Sequence, residues 1–313
     1  MMASIAPSGE SRAVFRCHEL ITTQDINHYA RRTQRLSQSD TIRKIQQIHH
    51  CSGTFPSIAP TRSSATMAAS KAILIGISGP SSSGKTTLSR LLRDILPTTF
   101  ILHEDDFYKT DTEIPDHPTA KVQDWDCLES INLPALDSAL RHIRANGTSP
   151  PDFQSKEDQN SVGKSGVDES VVNELKARAQ KAFAGTGQVA IIDGFLLFSE
   201  EMKEIRSLFD VKLFLRTDYA IAKQRREARS GYVTLEGFWE DPPGYVDQVV
   251  WPNYVKDHAF LFENGDVEGD LKSDVCDHLD IQGMPKEAYG DMTKCLEWAY
   301  SILEKKLLQR KET

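Results

Sequence analysis

The stretch Gly79-Pro-Ser-Ser-Ser-Gly-Lys85-Thr86 matches the pattern G-x-x-x-x-G-K-[ST] and constrains the fold of this 313-residue chain more than any other feature. Its glycines allow backbone angles that turn amide N–H groups inward as a cradle for phosphates. The lysine places a cation on the β and γ phosphates, and Thr86 can offer its hydroxyl to Mg²⁺. The expected ATP-binding residues here are Gly79, Pro80, Ser81, Ser82, Ser83, Gly84, Lys85, Thr86 and Thr87.

The loop lies between a predicted strand and a predicted helix, as such a site requires. Residues 72–77 form an apolar run typical of a strand buried on both faces, and leucines at helical spacing follow the loop as far as Pro97. Alternating strands and helices predict an α/β domain with a mainly parallel sheet flanked by helices. The other predicted elements are strands at 99–102, 189–193 and 211–215 and helices at 133–143, 171–183, 218–229 and 291–308.

Charge divides the chain into two parts. Residues 1–70 hold eight basic and four acidic side chains, whereas residues 71–313 hold 29 basic and 41 acidic ones. We expect 1–70 to be a disordered, dispensable leader. A mitochondrial transit peptide, a regulatory tail and upstream sequence before a start at Met67 stay open for it. We assign residues 71–313 to one domain, and the acidic charge of this body argues against nucleic-acid binding.

Cysteine usage and hydropathy indicate the compartment. The five cysteines are scattered, odd in number and never in a C-x-x-C pair, which favours a reducing environment over a disulfide framework or zinc site. No apolar run approaches the roughly 18 residues that a membrane-spanning helix needs. We therefore expect a cytoplasmic protein without a membrane partner.

Two acidic segments supply candidate chemistry. Asp193 ends a predicted buried strand, where an acid can hold the Mg²⁺ shell beside a phosphate loop. His103-Glu-Asp-Asp-Phe-Tyr-Lys109 follows another strand, and strand ends of this kind line the ligand crevice of an open parallel sheet. A carboxylate there can accept a hydroxyl proton while aromatic rings hold a ring of the substrate. Asp124-Trp-Asp126 repeats the combination of ring and carboxylate. A solvated acidic turn is the plainer alternative for residues 103–109.

Three arginines precede a segment rich in glycine, proline and aromatic residues. Arg225 and Arg229 share a helix face, with Arg226 beside them. Such a set is usually a solvated helix face. Here it leads into residues 230–252, which we interpret as a mobile lid, and phosphoryl transfer needs both cations and the exclusion of water. Residues 148–170 are polar and are expected to form a surface loop.

Together these motifs resemble nicotinamide riboside kinase, a branch of the uridine kinase-like P-loop kinases. The more specific parts of the resemblance are Gly194-Phe-Leu-Leu-Phe198 after Asp193 and Pro243-Gly-Tyr…Trp251-Pro252 in the lid segment. The resemblance covers roughly residues 71–308 and implies a P-loop kinase fold. It implies an ATP- and Mg²⁺-dependent enzyme that phosphorylates the ribose 5′-hydroxyl of nicotinamide riboside, and also of nicotinic acid riboside.

The resemblance also implies roles for individual residues. Asp105 would be the general base, acting with Lys85 and Arg225, and the expected metal-binding residues are Thr86, Asp105 and Asp193. Arg225 and Arg229 would also face ATP. The implied substrate-binding residues are Asp105, Asp106, Phe107, Tyr108, Trp125, Asp126, Arg226 and Tyr232.

Departures from the family pattern affect the nucleoside side. Family members often have Tyr where this chain has Trp125 and Glu where it has Asp193. The spacing from Arg229 to Tyr232 is one residue longer than in the animal pattern, and residues 258–280 look inserted. The expected adenine contacts lie just after this segment, near residues 282–287.

Two other functions stay open at this stage. A uridine or cytidine kinase would carry the same phosphate loop, and a nucleotide-binding regulatory module would have lost catalysis. The joint presence of Lys85, Thr86, Asp105 and Asp193 opposes the second. The expected partners are the nucleoside and ATP, in a monomer or weak homodimer.

Overall fold

A computed structural model describes residues 71–156, 160, 163–229, 231–234 and 237–309 of the chain. The leader, residues 1–70, lies outside the described residues, so its disorder, its targeting and its boundary with the domain stay predictions.

The described residues form a five-stranded parallel sheet and a two-stranded antiparallel ribbon. The strands of the sheet are β1 (Ala72–Ser78), β2 (Thr99–His103), β3 (Gln188–Gly194), β4 (Val211–Phe214) and β7 (Ile281–Gly283), and those of the ribbon are β5 (Tyr232–Val233) and β6 (Phe238–Trp239). The order in the sheet is β2-β3-β1-β4-β7. The predicted parallel α/β architecture is confirmed.

Helices of different lengths connect these strands. They are α1 (Lys85–Ile95), α2 (Leu133–Asn146), α3 (Glu169–Ala182), α4 (Lys203–Arg206), α5 (Tyr219–Glu227), α6 (Trp251–His258), α7 (Ser273–Leu279) and α8 (Met292–Gln309). Local sequence explains their ends: the Asn132 side chain accepts a hydrogen bond from Ala135 N at the start of α2, and Gly147 ends that helix with a left-handed backbone. None of the described helices is long and apolar enough to cross a membrane.

An apolar core lies on each face of the sheet, which explains the unbroken apolar run of β1. Leu74 packs into one core, and Ile75 and Ile77 pack into the other. Alternate residues of a strand point to opposite faces, so a strand covered on both sides needs apolar residues at every position.

The strand register brings the predicted chemical groups to one edge of the sheet. Ser78 pairs with Gly194 across β1 and β3, and His103 pairs with Asp193 across β2 and β3. The phosphate loop leaves β1 at this edge, and the acidic segment leaves β2 beside it. The crevice at the carboxyl ends of the strands is therefore where the site must form.

The structure differs from the sequence-based expectation in two segments. The second half of residues 230–252 is helical, because Val246–Val250 forms a turn of π-helix that continues into α6. Val246, Val249 and Val250 are buried, so packing rather than glycine and proline content decides this half. For the first half, the mobile lid stays a prediction. Residues 258–280, which look inserted, contain α7, and they are followed by β7, a three-residue strand too short to predict.

Candidate active site

The phosphate loop has the backbone that its glycines permit. Gly79, Ser82 and Gly84 have φ angles of 144°, 63° and 101°, all in the region that favours glycine. A Cβ at position 79 would collide with the carbonyl oxygen of Leu215. The loop ends at Lys85, the first residue of α1, so its amides and the helix N-terminus can hold the same anion.

Lys85 lies where the loop meets the acidic groups. Its Nζ donates a hydrogen bond to the Pro80 carbonyl oxygen at 3.0 Å. Burial lowers the pKa of Lys85, although Asp105 and Asp193 oppose this shift by favouring the charged form. The lysine is thus a desolvated cation, which interacts more strongly with phosphate than a lysine in water does.

Asp193 is held by a side chain from the neighbouring strand. His103 Nδ1 and Asp193 Oδ1 lie 2.5 Å apart, and both residues are buried. Burial raises the pKa of Asp193, but His103 and Lys85 together bring it below its ordinary value, so the group is a carboxylate at neutral pH. Its second oxygen, Oδ2, is buried and makes no hydrogen bond of normal geometry with the described residues.

Asp105 stands at the same end of the sheet, in the 3₁₀ turn Glu104–Phe107 after β2. Burial raises its pKa to about 6, while the positive charge of Lys85 opposes the rise. A carboxylate with this pKa is largely ionised at neutral pH yet basic enough to take a proton from a hydroxyl group.

The predicted metal ligands suit Mg²⁺ by their chemistry. Thr86, Asp105 and Asp193 all line one cavity and offer only oxygen donors. The described residues contain no cluster of three or more His, Cys, Asp or Glu side chains placed to bind a metal. Mg²⁺ usually takes only one or two carboxylates and completes its shell with water and substrate phosphates. Asp193 Oδ2, which makes no hydrogen bond of normal geometry with the described residues, fits such a site.

The cavity has a volume of about 570 Å³ and extends from the phosphate loop to a set of aromatic side chains. Its aromatic residues are Tyr108, Trp125, Phe195, Tyr232, Phe238 and Trp239. The Tyr108 and Trp125 ring centroids are 5.4 Å apart at an interplanar angle of 75°, and Phe195 stacks on Tyr108 at 6.3 Å. A phosphate-binding end and an aromatic end in one cavity suit a phosphate donor and a ring-bearing acceptor.

Asp126 and Arg226 form a buried ion pair in this cavity. Arg226 Nη1 and Nη2 donate to the two Asp126 oxygens at 2.8 and 2.9 Å. The adjoining turn is fixed from α6, because Asn253 Nδ2 donates to both Asp124 oxygens at 2.9 and 3.0 Å. Asp126 is thus held rigidly at the aromatic end.

The other predicted arginines are more exposed. Arg225 Nη1 donates a long hydrogen bond of 3.4 Å to the Ser82 carbonyl oxygen. Arg229 Nη1 donates to the Tyr232 hydroxyl at 3.0 Å and lines the cavity with it. Arg225 thus lies beside the phosphate loop and Arg229 beside β5, and their contact with ATP stays a prediction.

Six predicted site residues are not among the described residues that line the cavity. Three of them, Gly79, Pro80 and Ser83, belong to the phosphate loop. The others are Asp106, whose Oδ1 accepts from the Lys156 backbone N at 2.6 Å; Phe107, which is buried and stacks on Phe153 at 5.6 Å; and Arg225. Asp106 and Phe107 thus connect the acidic turn to the segment that contains Phe153 and Lys156. Their roles in binding stay predictions.

Sequence reasoning missed several cavity residues. Trp239 packs against Trp125 with ring centroids 5.5 Å apart, and Lys156 and Asn160 reach the cavity from the predicted surface loop. Asn160 Oδ1 accepts from the Val233 backbone N at 3.1 Å, so that loop contacts the lid ribbon. The aromatic content of the lid segment was a signal for Trp239, whereas nothing in the polar loop pointed to the cavity.

Comparison with known proteins finds close relatives. No protein-family model matches the chain. It is 44% identical over 202 residues to the nicotinamide riboside kinase of Schizosaccharomyces pombe, and the aligned region covers 64% of this chain and 85% of the relative. The Saccharomyces cerevisiae nicotinamide riboside kinase is 38% identical, and the aligned region covers 65% of this chain and 84% of that protein. Human nicotinamide riboside kinase 1 is 31% identical, and the aligned region covers 59% of this chain and 76% of that protein.

Proposed function

This chain belongs to the nicotinamide riboside kinase family, and from that premise we propose that it transfers the terminal phosphate of ATP to the ribose 5′-hydroxyl of nicotinamide riboside. The product would be the mononucleotide, a step of NAD synthesis. Nicotinic acid riboside would be a second substrate. The observation that carries the proposal is the single cavity that joins Lys85, Asp105 and Asp193 to the aromatic residues.

The residues divide the work of phosphoryl transfer. Asp105 takes the proton of the 5′-hydroxyl. The hydroxyl oxygen forms a bond to the γ phosphorus while the bond from that phosphorus to the bridging oxygen of ADP breaks. Lys85 and the loop amides stabilise charge on the phosphates, and Arg225 and Arg229 add to this from α5 and its end. Thr86, Asp105 and Asp193 would hold Mg²⁺, which when bound neutralises phosphate charge.

The aromatic end supports a nucleoside with a cationic base. Nicotinamide riboside carries a pyridinium ring, and such a cation is attracted to the faces of tryptophan and tyrosine. The Asp126 carboxylate lies at this end and can accept hydrogen bonds from ribose hydroxyls. A neutral pyrimidine base would gain the stacking but not the cation–π attraction.

A substrate comparison tests the proposal. We expect nicotinamide riboside and nicotinic acid riboside to be phosphorylated with ATP and Mg²⁺, with kcat/KM well above the values for uridine and cytidine. A preference for uridine or cytidine would instead assign a pyrimidine nucleoside kinase. ATP binding without any phosphorylated nucleoside would assign a regulatory module.

A variant tests the role of the general base. We expect Asp105→Asn to lower kcat by about 10²- to 10⁴-fold and to leave ATP binding largely intact, because the amide cannot accept the proton. Asp137→Asn is the matched control, since Asp137 pairs with Arg141 on the surface of α2. A near-normal kcat for Asp105→Asn would refute this mechanism.

We propose that the protein acts in the cytoplasm, in keeping with its scattered cysteines and the soluble, acidic domain expected from its sequence. We propose too that it is a monomer or weak homodimer. Cell fractionation of the full chain and of a chain starting at Met67 would test the location and the targeting role of the leader together.

A further inference from the structure

All N–H groups of the Arg226 guanidinium are engaged within the protein. An arginine has about five such donors in a fixed fork. Nε donates to Asp241 Oδ2 at 2.6 Å, and Nη2 donates to Asp241 Oδ1 at 3.1 Å and Asp126 Oδ2 at 2.9 Å. Nη1 donates to Asp126 Oδ1 at 2.8 Å and to Ser81 Oγ at 2.9 Å. A substrate hydroxyl can therefore bind this guanidinium only by displacing one of these partners.

These partners come from three separate parts of the chain. Ser81 belongs to the phosphate loop, Asp126 to the aromatic end of the cavity, and Asp241 to the lid segment after β6. Arg226 itself is only 7% exposed. A buried guanidinium shared between two carboxylates is a strong and directional connection, so Arg226 fixes the lid relative to both ends of the cavity.

Asp241 links this connection to an aromatic ring of the lid. Its Oδ1 also accepts a hydrogen bond from Trp239 Nε1 at 2.9 Å. The Trp239 ring packs against Trp125 with centroids 5.5 Å apart at an angle of 43°. Trp239 lines the cavity, whereas Asp241 is not among the described residues that line it.

We propose that Asp241 is a positioning residue for the nucleoside: through Arg226 and Trp239 it holds the lid so that the Trp239 indole closes the aromatic wall of Trp125 and Tyr108 around a pyridinium base. The proposal rests on the proposed function and adds a residue and a lid indole to it. Asp241 would not touch the nucleoside; it would set the place of a ring that does.

The mechanism predicts which kinetic constant changes. Loss of Asp241 leaves Arg226 paired with Asp126 and Ser81, so the phosphate end should keep its geometry. The lid indole loses its hydrogen bond and its anchor, and the aromatic wall becomes looser. The KM for the nucleoside should rise, while the KM for ATP should not.

A double-mutant cycle tests this chain of contacts. We expect Asp241→Ala and Trp239→Ala each to raise the KM for nicotinamide riboside about three- to tenfold, with the KM for ATP changed less than twofold. The double variant should be no worse than Trp239→Ala alone, because Asp241 acts through that ring. Asp247→Ala is the matched control, since Asp247 is exposed and pairs with Lys223 outside the cavity; its constants should equal those of the wild type.

Other outcomes overturn the proposal. Additive effects of the two substitutions would mean that Asp241 acts independently of Trp239, and equal rises in both KM values would mean a general structural role. If Asp241→Ala does not fold, Asp241→Asn serves instead, because it loses one of the two oxygens that hold Arg226. The KM for nicotinamide riboside should then still rise while the KM for ATP does not, and an unchanged KM for nicotinamide riboside would overturn the proposal. A wild type that prefers uridine would refute the proposed function, and the same cycle, run with uridine, would then still test the coupling.

Discussion

The two ends of the cavity are built in different ways. The phosphate end comes from consecutive residues, 79–87, whose backbone is set by Gly79 and Gly84 and by the start of α1. The aromatic end joins Tyr108 and Trp125 to Trp239, which comes from a distant segment of the sequence. A binding site made by local backbone can be recognised from a short motif. A site made by tertiary contacts has no such motif, and exchange of its residues can change which substrate binds.

The two ends should therefore respond differently to substitution. Changes at the phosphate end should affect every nucleoside alike, and changes at the aromatic end should affect one base more than another.

Among the substitutions that compare the two ends, Lys85→Ala should cause the largest loss. We expect kcat to fall about 10²- to 10³-fold with every accepted nucleoside, because the variant lacks the cation on the transferred phosphate. Steady-state kinetics with nicotinamide riboside and nicotinic acid riboside measures this, with Lys181→Ala on the exposed face of α3 as the control. A loss confined to one nucleoside would break the contrast between the two ends.

The pH dependence of activity should report Asp105. Burial raises its pKa to about 6, and only the ionised carboxylate can accept the proton. We therefore expect kcat/KM to be constant above neutral pH and to fall about tenfold per unit below pH 6. The residual activity of Asp105→Asn should lack this transition; a wild-type profile that stays flat to pH 5 would contradict the role.

Trp125→Tyr should have a moderate and selective effect. The smaller ring loses part of its contact with Trp239, so the KM for nicotinamide riboside should rise about two- to tenfold while the KM for ATP stays the same. Trp298→Tyr on α8 is a matched control outside the cavity. An equal change in both KM values would show that the aromatic end is coupled to the phosphate end.

Glu104→Gln should change stability more than activity. Glu104 is fully buried, its Oε2 accepts from the Leu196 backbone N at 3.0 Å, and burial raises its pKa to about 8. A carboxyl with a raised pKa favours folding most below its ordinary pKa and loses that contribution as pH rises towards 8. The wild-type Tm should therefore decrease between pH 5 and 8 by more than that of the variant. Parallel Tm curves in thermal unfolding would refute this.

Local patterns predicted where the candidate chemical groups lie in the fold. The phosphate loop, Asp105 and Asp193 each sit in or directly after a short apolar strand, and parallel strands bring their carboxyl ends together. The Trp125–Trp239 contact and the approach of Asn160 to the lid were not predicted, because they join residues about 70 or more positions apart. The helical half of the lid segment was missed because Pro243, Gly244 and Pro252 suggest loop, while buried valines stabilise a helix.

The parallel α/β fold, the phosphate loop and the acids beside it could be predicted from local sequence, since each depends on residues close together in the chain. The sharing of Arg226 between Asp126 and Asp241, and the packing of Trp239 against Trp125 at the aromatic end, depend instead on the tertiary structure. The physical reason is distance along the chain: backbone geometry and strand ends follow from neighbouring residues, whereas the pairing of a buried charge depends on which segments the fold brings within hydrogen-bond distance.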